Sequence, residues 1–91
     1  MDSTLALREF LEYVITQLIE HPEEASIAHR MDGNRHVFEV ELAEGDVGKV
    51  IGKNGQTVGA IRNLLEAGAW RNREKVVLRV HRKGEVDQRG D

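Results

Sequence analysis

Apolar residues recur every three or four positions near the start of the chain: Leu7, Phe10, Leu11, Val14, Ile15, Leu18 and Ile19. That spacing gathers them on one side of an α-helix, with Arg8, Glu9, Glu12 and Glu20 on the other. Asp2, Ser3 or Thr4 can cap its start. His21-Pro22 stops it, because proline disfavours helical backbone at the residue before it. The stripe predicts a core face against a sheet, since a helix lying on a membrane surface would carry lysines on its polar side.

The period then shortens to two. Residues 25–31 and 35–43 read as strands. In the second, Phe38, Val40 and Leu42 alternate with Glu39 and Glu41, so one face is buried and one wet. Asp32-Gly33-Asn34 between them is a hairpin signal. A third strand over 75–81 turns Val76, Leu78 and Val80 inward and Val77, Arg79 and His81 outward. Between the last two strands, Asp46 can cap a short helix over 47–51, residues 52–55 break it, and a second helix runs from about Gln56 to Trp70. Its apolar stripe is Val58, Ile61, Leu65 and Gly68, with Ala60, Leu64 and Ala67 widening it. Gly59 and Gly68 each cost that helix about 1 kcal/mol relative to alanine, which predicts a close neighbour at both. The order is helix, strand, strand, helix, helix, strand. The crossover from 35–43 to 75–81 favours parallel strands and a right-handed connection. Helices on one face of a three-stranded mixed sheet give a two-layer α+β domain over residues 1–82, with 83–91 a disordered polar tail. Arg89-Gly90-Asp91 in that tail imitates a cell-adhesion tripeptide by coincidence.

Composition narrows the class. The 91 residues are 40% hydrophobic with one proline and no cysteine, so one thin core must hold by packing without disulfides. No apolar run approaches the roughly 18 residues of a membrane helix. The acidic start Met1-Asp2-Ser3-Thr4 does not resemble a secretory signal, which predicts a cytoplasmic protein. The net charge of −3 hides a division: residues 1–46 carry three basic and eleven acidic side chains, and residues 47–91 carry ten basic and five acidic. The basic half suggests a surface made for an anion.

That half contains Gly52-Lys53-Asn54-Gly55, between two helices. Two glycines three apart leave a loop that a nucleic-acid backbone can approach closely, and the N–H groups opening the next helix point at phosphate. Lys53 at the tip, Lys49 one turn earlier and Arg62 in the following helix add positive charge.

The run Asp46-Val47-Gly48-Lys49-Val50-Ile51-Gly52-Lys53-Asn54-Gly55, followed by Ala60-Ile61-Arg62, resembles the heart of a KH domain, and the preceding helix and two strands fit the type II, prokaryotic arrangement. Length, His21-Pro22-Glu23-Glu24 and Gly45-Asp46-Val47-Gly48 resemble the small bacterial single-KH proteins of the KhpA (YlqC) family. The resemblance spans residues 1 to about 81. It implies that Gly52, Lys53, Asn54 and Gly55 clamp the backbone of about four single-stranded nucleotides, with Lys49, Gln56 and Arg62 beside them. It also implies that Ile51 helps floor an apolar groove between the helices and strand 35–43. Gln56 departs from the basic residue that many relatives carry there. The implied role is a cytoplasmic RNA chaperone or post-transcriptional regulator, without cofactor or metal. It would act as a homodimer through Val58, Ile61 and Leu65, or with a longer KH protein of the Jag/EloR (KhpB) type. The alternative is an interaction module whose KH fold serves mainly such pairing.

Other chemistries fit poorly. Gly48 to Lys53 has three residues between glycines where a nucleotide-binding P-loop needs four, and Asn54 stands where Ser or Thr would hold magnesium. His29 and His36 would face each other if Asp32-Gly33 form the hairpin turn, but no third zinc ligand is evident and both read as exposed. No nucleophile is paired with a histidine: Ser3, Thr4, Thr16, Ser26 and Thr57 read as caps or surface. An enzyme is not expected.

Overall fold

The computed structural model describes residues 3–85. Helix α1 (Ser3–Leu18) ends ahead of Pro22, which opens a single 3-10 turn, Pro22–Glu24. Strands β1 (Ser26–Asp32) and β2 (Arg35–Leu42) form the hairpin; α2 (Glu44–Ile51) and α3 (Gln56–Trp70) cross over to β3 (Lys75–Arg82). The sheet order is β1-β2-β3, with β1 antiparallel and β3 parallel to the central β2. This is the α+β architecture that the periodicities predict. No helix among the described residues is long and apolar enough to cross a membrane.

All three helices lie on one face of the sheet. Leu7, Leu11, Ile15 and Ile19 meet Phe38, Val40 and Leu42 of β2, Val50 of α2, Ile61, Leu65 and Ala69 of α3, and Val76 of β3. Leu11, Phe38, Val40, Leu42, Val50 and Leu65 are wholly buried. Gly68 is where α1 comes close: an added Cβ would lie 3.1 Å from Leu7 Cδ2. Gly59 has no such neighbour, so the close approach expected there is absent.

The open face of the sheet is more closed than alternation suggests. Glu39 is mostly covered by His81 Nε2 at 2.6 Å and by the guanidiniums of Arg30 and Arg79 at 3.4 Å. Burial pushes its carboxyl up, but those hydrogen bonds and charges outweigh burial and hold it below the ordinary range.

Several local expectations are corrected. Asp46 does not cap its own helix: α2 starts at Glu44, and Asp46 is fully buried. Its Oδ1 and Oδ2 accept the backbone N–H groups of Glu20 and His21 at 3.0 and 2.9 Å, tying the end of α1 to α2. Burial raises its pKa, but the two N–H groups and the charges of His21 and Lys49 bring it down. The hairpin turn is Gly33-Asn34, one residue later than the facing of His29 and His36 requires, so His29 pairs with Phe38 and His36 with Met31. The two rings still meet diagonally, His29 Nε2 3.0 Å from His36 Nδ1. His36 is buried, not exposed, and its Nε2–H donates to Glu74 Oε1 at 2.7 Å. Ser3 is no simple cap, because its hydroxyl donates to the same carboxylate at 3.1 Å. Finally, Lys83 to Glu85 form a hydrogen-bonded turn rather than the start of a loose tail: Lys83 N–H donates to Leu42 O and Arg82 N–H to Glu85 Oε1. Asp2, Val86 and Arg89-Gly90-Asp91 lie outside the described residues.

Asp46 and Glu39 set the acid limit of the fold. Because the folded chain binds their protons more weakly than the unfolded chain, their stabilisation is complete above the ordinary carboxylate range and is lost as pH falls through their lowered pKa values. Thermal melts should therefore show Tm falling steeply below about pH 4. Asp46→Asn should melt lower at neutral pH and lose less on acidification.

Candidate nucleic-acid interface

Helix α2 ends because Gly52 takes φ 77°, ψ 175°, a backbone conformation essentially reserved for glycine. Space imposes the same choice. A Cβ at Gly52 would sit 2.7 Å from Thr57 Cβ and 2.9 Å from Thr57 N, and would strike the hydroxyl as well. Thr57, read from sequence as cap or surface, is therefore the residue that seals the loop from beneath. Nothing in its own side chain signals this; it follows from the reversal of the chain at Gly52.

Asn54 and Gly55 both adopt left-handed backbone, at φ 56° and 75°, which asparagine tolerates better than most residues. The Gly55 N–H donates to Gly52 O at 3.2 Å, making a single tight turn of 52–55. Lys53 and Asn54 stand exposed at its tip. Helix α3 starts directly behind with no side-chain cap on Gly55 and no acid in its first turn. The Gln56 N–H donates to Lys53 O, and the positive end of the helix dipole is left facing the turn with no carboxylate against it. Gln56 and Arg62 are exposed, and neither Lys53 nor Arg62 makes an ion pair among the described residues.

Lys49 is placed differently. Its Nζ donates to Gly45 O at 3.2 Å and lies 3.9 Å from Asp46 Oδ1 and 4.0 Å from Glu20 Oε1. Two carboxylates hold it toward the end of α1.

Ile51 is half-buried beside the loop. The neighbouring wall is not strand 35–43: β2 is central, and the side chains of Phe38, Val40 and Leu42 are completely buried. The accessible aliphatic residues are Val47 on α2 and Leu78 and Val80 on β3, an edge strand against which both α2 and α3 pack. The sequence shows alternation in both strands, but which of them lies at the edge depends on the crossover.

The set Val58, Ile61 and Leu65 also divides. Ile61, 4% exposed, and Leu65, 0%, belong to the core of the single chain, and Val58 is half-buried. Midway along α3 the free apolar surface is Leu64, 59% exposed, flanked by Ala60 and Ala67. Leu64 lines an apolar groove with Ala6 and Phe10 of α1 and Gly68.

Residues 8–80 match the family profile described as KhpA/KhpB, KH domain, which takes in the sheet, the loop and most of α1. The RNA-binding protein KhpA of Chlamydia muridarum (strain MoPn / Nigg) is 40% identical over 74 residues, 81% of this chain and 95% of that protein. The RNA-binding protein KhpA of Thermotoga maritima is 36% identical over 61 residues, 67% and 81% of the two chains. That of Halalkalibacterium halodurans is 31% identical over 72 residues, 79% and 95%. No solved structure matches the chain. The matched family is one of KH domains and not of enzymes. With its turn of 52–55 set between α2 and α3 and its β3 parallel to a central β2, the chain belongs to the KhpA/KhpB family of KH domains.

Proposed function

We propose that this chain binds single-stranded RNA, gripping the backbone of about four nucleotides with Gly52, Lys53, Asn54 and Gly55. The observation that carries the reading is the glycine-flanked turn at the start of α3, whose one lysine has no carboxylate partner among the described residues. Gln56 and Arg62 flank the backbone. Ile51, Val47, Leu78 and Val80 offer the bases an aliphatic surface. The names of the relatives support RNA as the ligand. In this reading the protein serves in the cytoplasm as a small RNA chaperone or post-transcriptional regulator, paired with a second copy or with a Jag/EloR (KhpB)-type KH protein.

Salt titration with a tetranucleotide tests the grip. Each phosphate neutralised on a single strand contributes about −0.7 to the log–log slope. Lys53 and Arg62 alone give roughly −1.4, and release of Lys49 from its carboxylates would bring it to about −2.1. A slope near zero would contradict phosphate recognition.

The exposed Leu64 and its groove favour a second reading, in which the fold serves mainly to pair with another KH chain. RNA that copurifies and is lost at high salt while the partner stays would show both activities in one protein.

A further inference from the structure

We infer that Trp70 is a stacking platform for single-stranded RNA that extends past the 52–55 turn, with Lys75 beside it to meet a phosphate; this rests on the RNA reading above. Trp70 is the chain's only tryptophan and is 66% exposed at the end of α3. An aromatic ring set so far into water gains nothing for the core, whereas bases of any identity stack on one.

Its surroundings suit a nucleic-acid strand. Trp70 and Lys75 line one shallow groove with Asn63, Glu66, Ala67 and Glu74, on the flank where α3 meets β3. Arg71, Arg73 and Lys75 follow in close succession, all exposed, and none makes an ion pair among the described residues. The other cations of the sheet end and its open face are engaged: Arg30 and Arg79 pair with Glu39, and Arg35 pairs with Asp32. Glu74 Oε1 already accepts from His36 and Ser3. Glu66 is the remaining acid, and a carboxylate on such a path can accept from a base amino group.

One ridge of α3 leads from the clamp toward the groove. Val58, Arg62, Glu66 and Trp70 are spaced four apart on α3, so they form one line along the helix. That line starts one turn from Gly55 and ends at Trp70. β3 runs beside it, opening with Lys75 and continuing through the half-buried Leu78 and Val80. Fifteen residues of helix span about 22 Å. A stacked strand rising about 3.4 Å per nucleotide needs six or seven nucleotides for that distance. A strand of four, held by the clamp, stops short of the ring, and a strand of twelve passes over it.

Because Trp70 is the sole tryptophan, its emission reports the contact directly. The wild-type chain, Trp70→Ala and Trp70→Phe are titrated with tetra-adenylate and dodeca-adenylate. The exposed ring leaves the fold intact when removed, which circular dichroism checks. Dodeca-adenylate should quench the wild-type emission. Trp70→Ala should bind it between about 5-fold and 150-fold more weakly, the cost of removing one base–aromatic stack, Trp70→Phe should restore most of the loss, and tetra-adenylate should bind all three alike. If Trp70→Ala binds dodeca-adenylate as tightly as wild type, the platform is wrong and the clamp stands. Binding of neither oligomer by wild type would overturn the RNA reading and the platform with it. An emission change on concentrating the protein without RNA, together with a doubled mass, would place Trp70 in a chain-to-chain contact and overturn the platform alone.

Discussion

Changing Lys53 and Asn54 together to Asp should weaken single-stranded RNA binding by roughly a hundredfold and leave the melting temperature nearly unchanged. A unit charge pair at ~4 Å in water is worth about 1 kcal/mol. Turning Lys53 from cation to anion therefore shifts its interaction with a phosphate by about 2 kcal/mol, and Asn54 adds about 1, which together is about two orders of magnitude in affinity. The fold should not notice. Both side chains are exposed and neither takes part in a hydrogen bond among the described residues. Aspartate tolerates the left-handed backbone of Asn54 nearly as well as asparagine does. Filter binding and a thermal melt on the same preparation check both halves.

Two aspartates, one helical turn apart, should behave in opposite ways. Ile61→Asp places a carboxylate among Leu7, Leu65 and the rest of the core. Losing the packed side chain costs about 2–5 kcal/mol, and a buried unpaired charge adds several more. Domains have about 5–15 kcal/mol in all, and one this small sits low in that range. The variant should be largely unfolded by circular dichroism at 25 °C, not a folded monomer. Leu64→Asp, at the exposed position, should keep its fold, since surface changes stay within about 0.5 kcal/mol. If two chains pair through the groove between α1 and α3, light scattering should give wild type about twice the 10.3 kDa chain mass and Leu64→Asp a single chain. A folded Ile61→Asp would contradict the assignment of Ile61 to the core.

The contrast between Ile61 and Leu64 marks what a linear sequence holds and what it does not. The stripe of α1 and the alternation of β2 and β3 are legible because each apolar residue signals its own side of a regular element. The turn of 52–55 is legible because its glycines answer to local backbone geometry. On α3 the stripe is wider than one face, and its phase is set by how the helix lies on the sheet. Ala69, wholly buried, carries too little apolar surface to mark that phase. Asp46 reads as a cap because an acid before an apolar run usually is one, yet its donors come from Glu20 and His21, distant in sequence. Asp32, Gly33 and Asn34 all suit a turn, so the register of the hairpin, and with it the half-buried bridge from His29 through His36 to Glu74, had to come from the packed chain.

The same limit applies to the site. Lys49 looks equivalent to Lys53 in sequence, but the chain brings Glu20 and Asp46 to it and leaves Lys53 alone. The groove wall shifts from β2 to β3 for a topological reason: a parallel crossover puts the last strand at the edge and the hairpin's second strand in the middle. Residue types located the loop, and connectivity decided which surface adjoins it.

An amide-resolved NMR titration of the labelled protein with a short single-stranded RNA would locate the RNA contact residue by residue. The largest shifts should fall at Gly52, Lys53, Asn54, Gly55 and the first turn of α3, with smaller ones at Val47, Ile51, Leu78 and Val80. Shifts confined to the open face of the sheet, around Arg30, Arg35, Glu39 and Arg79, with residues 52–55 unmoved, would contradict the clamp.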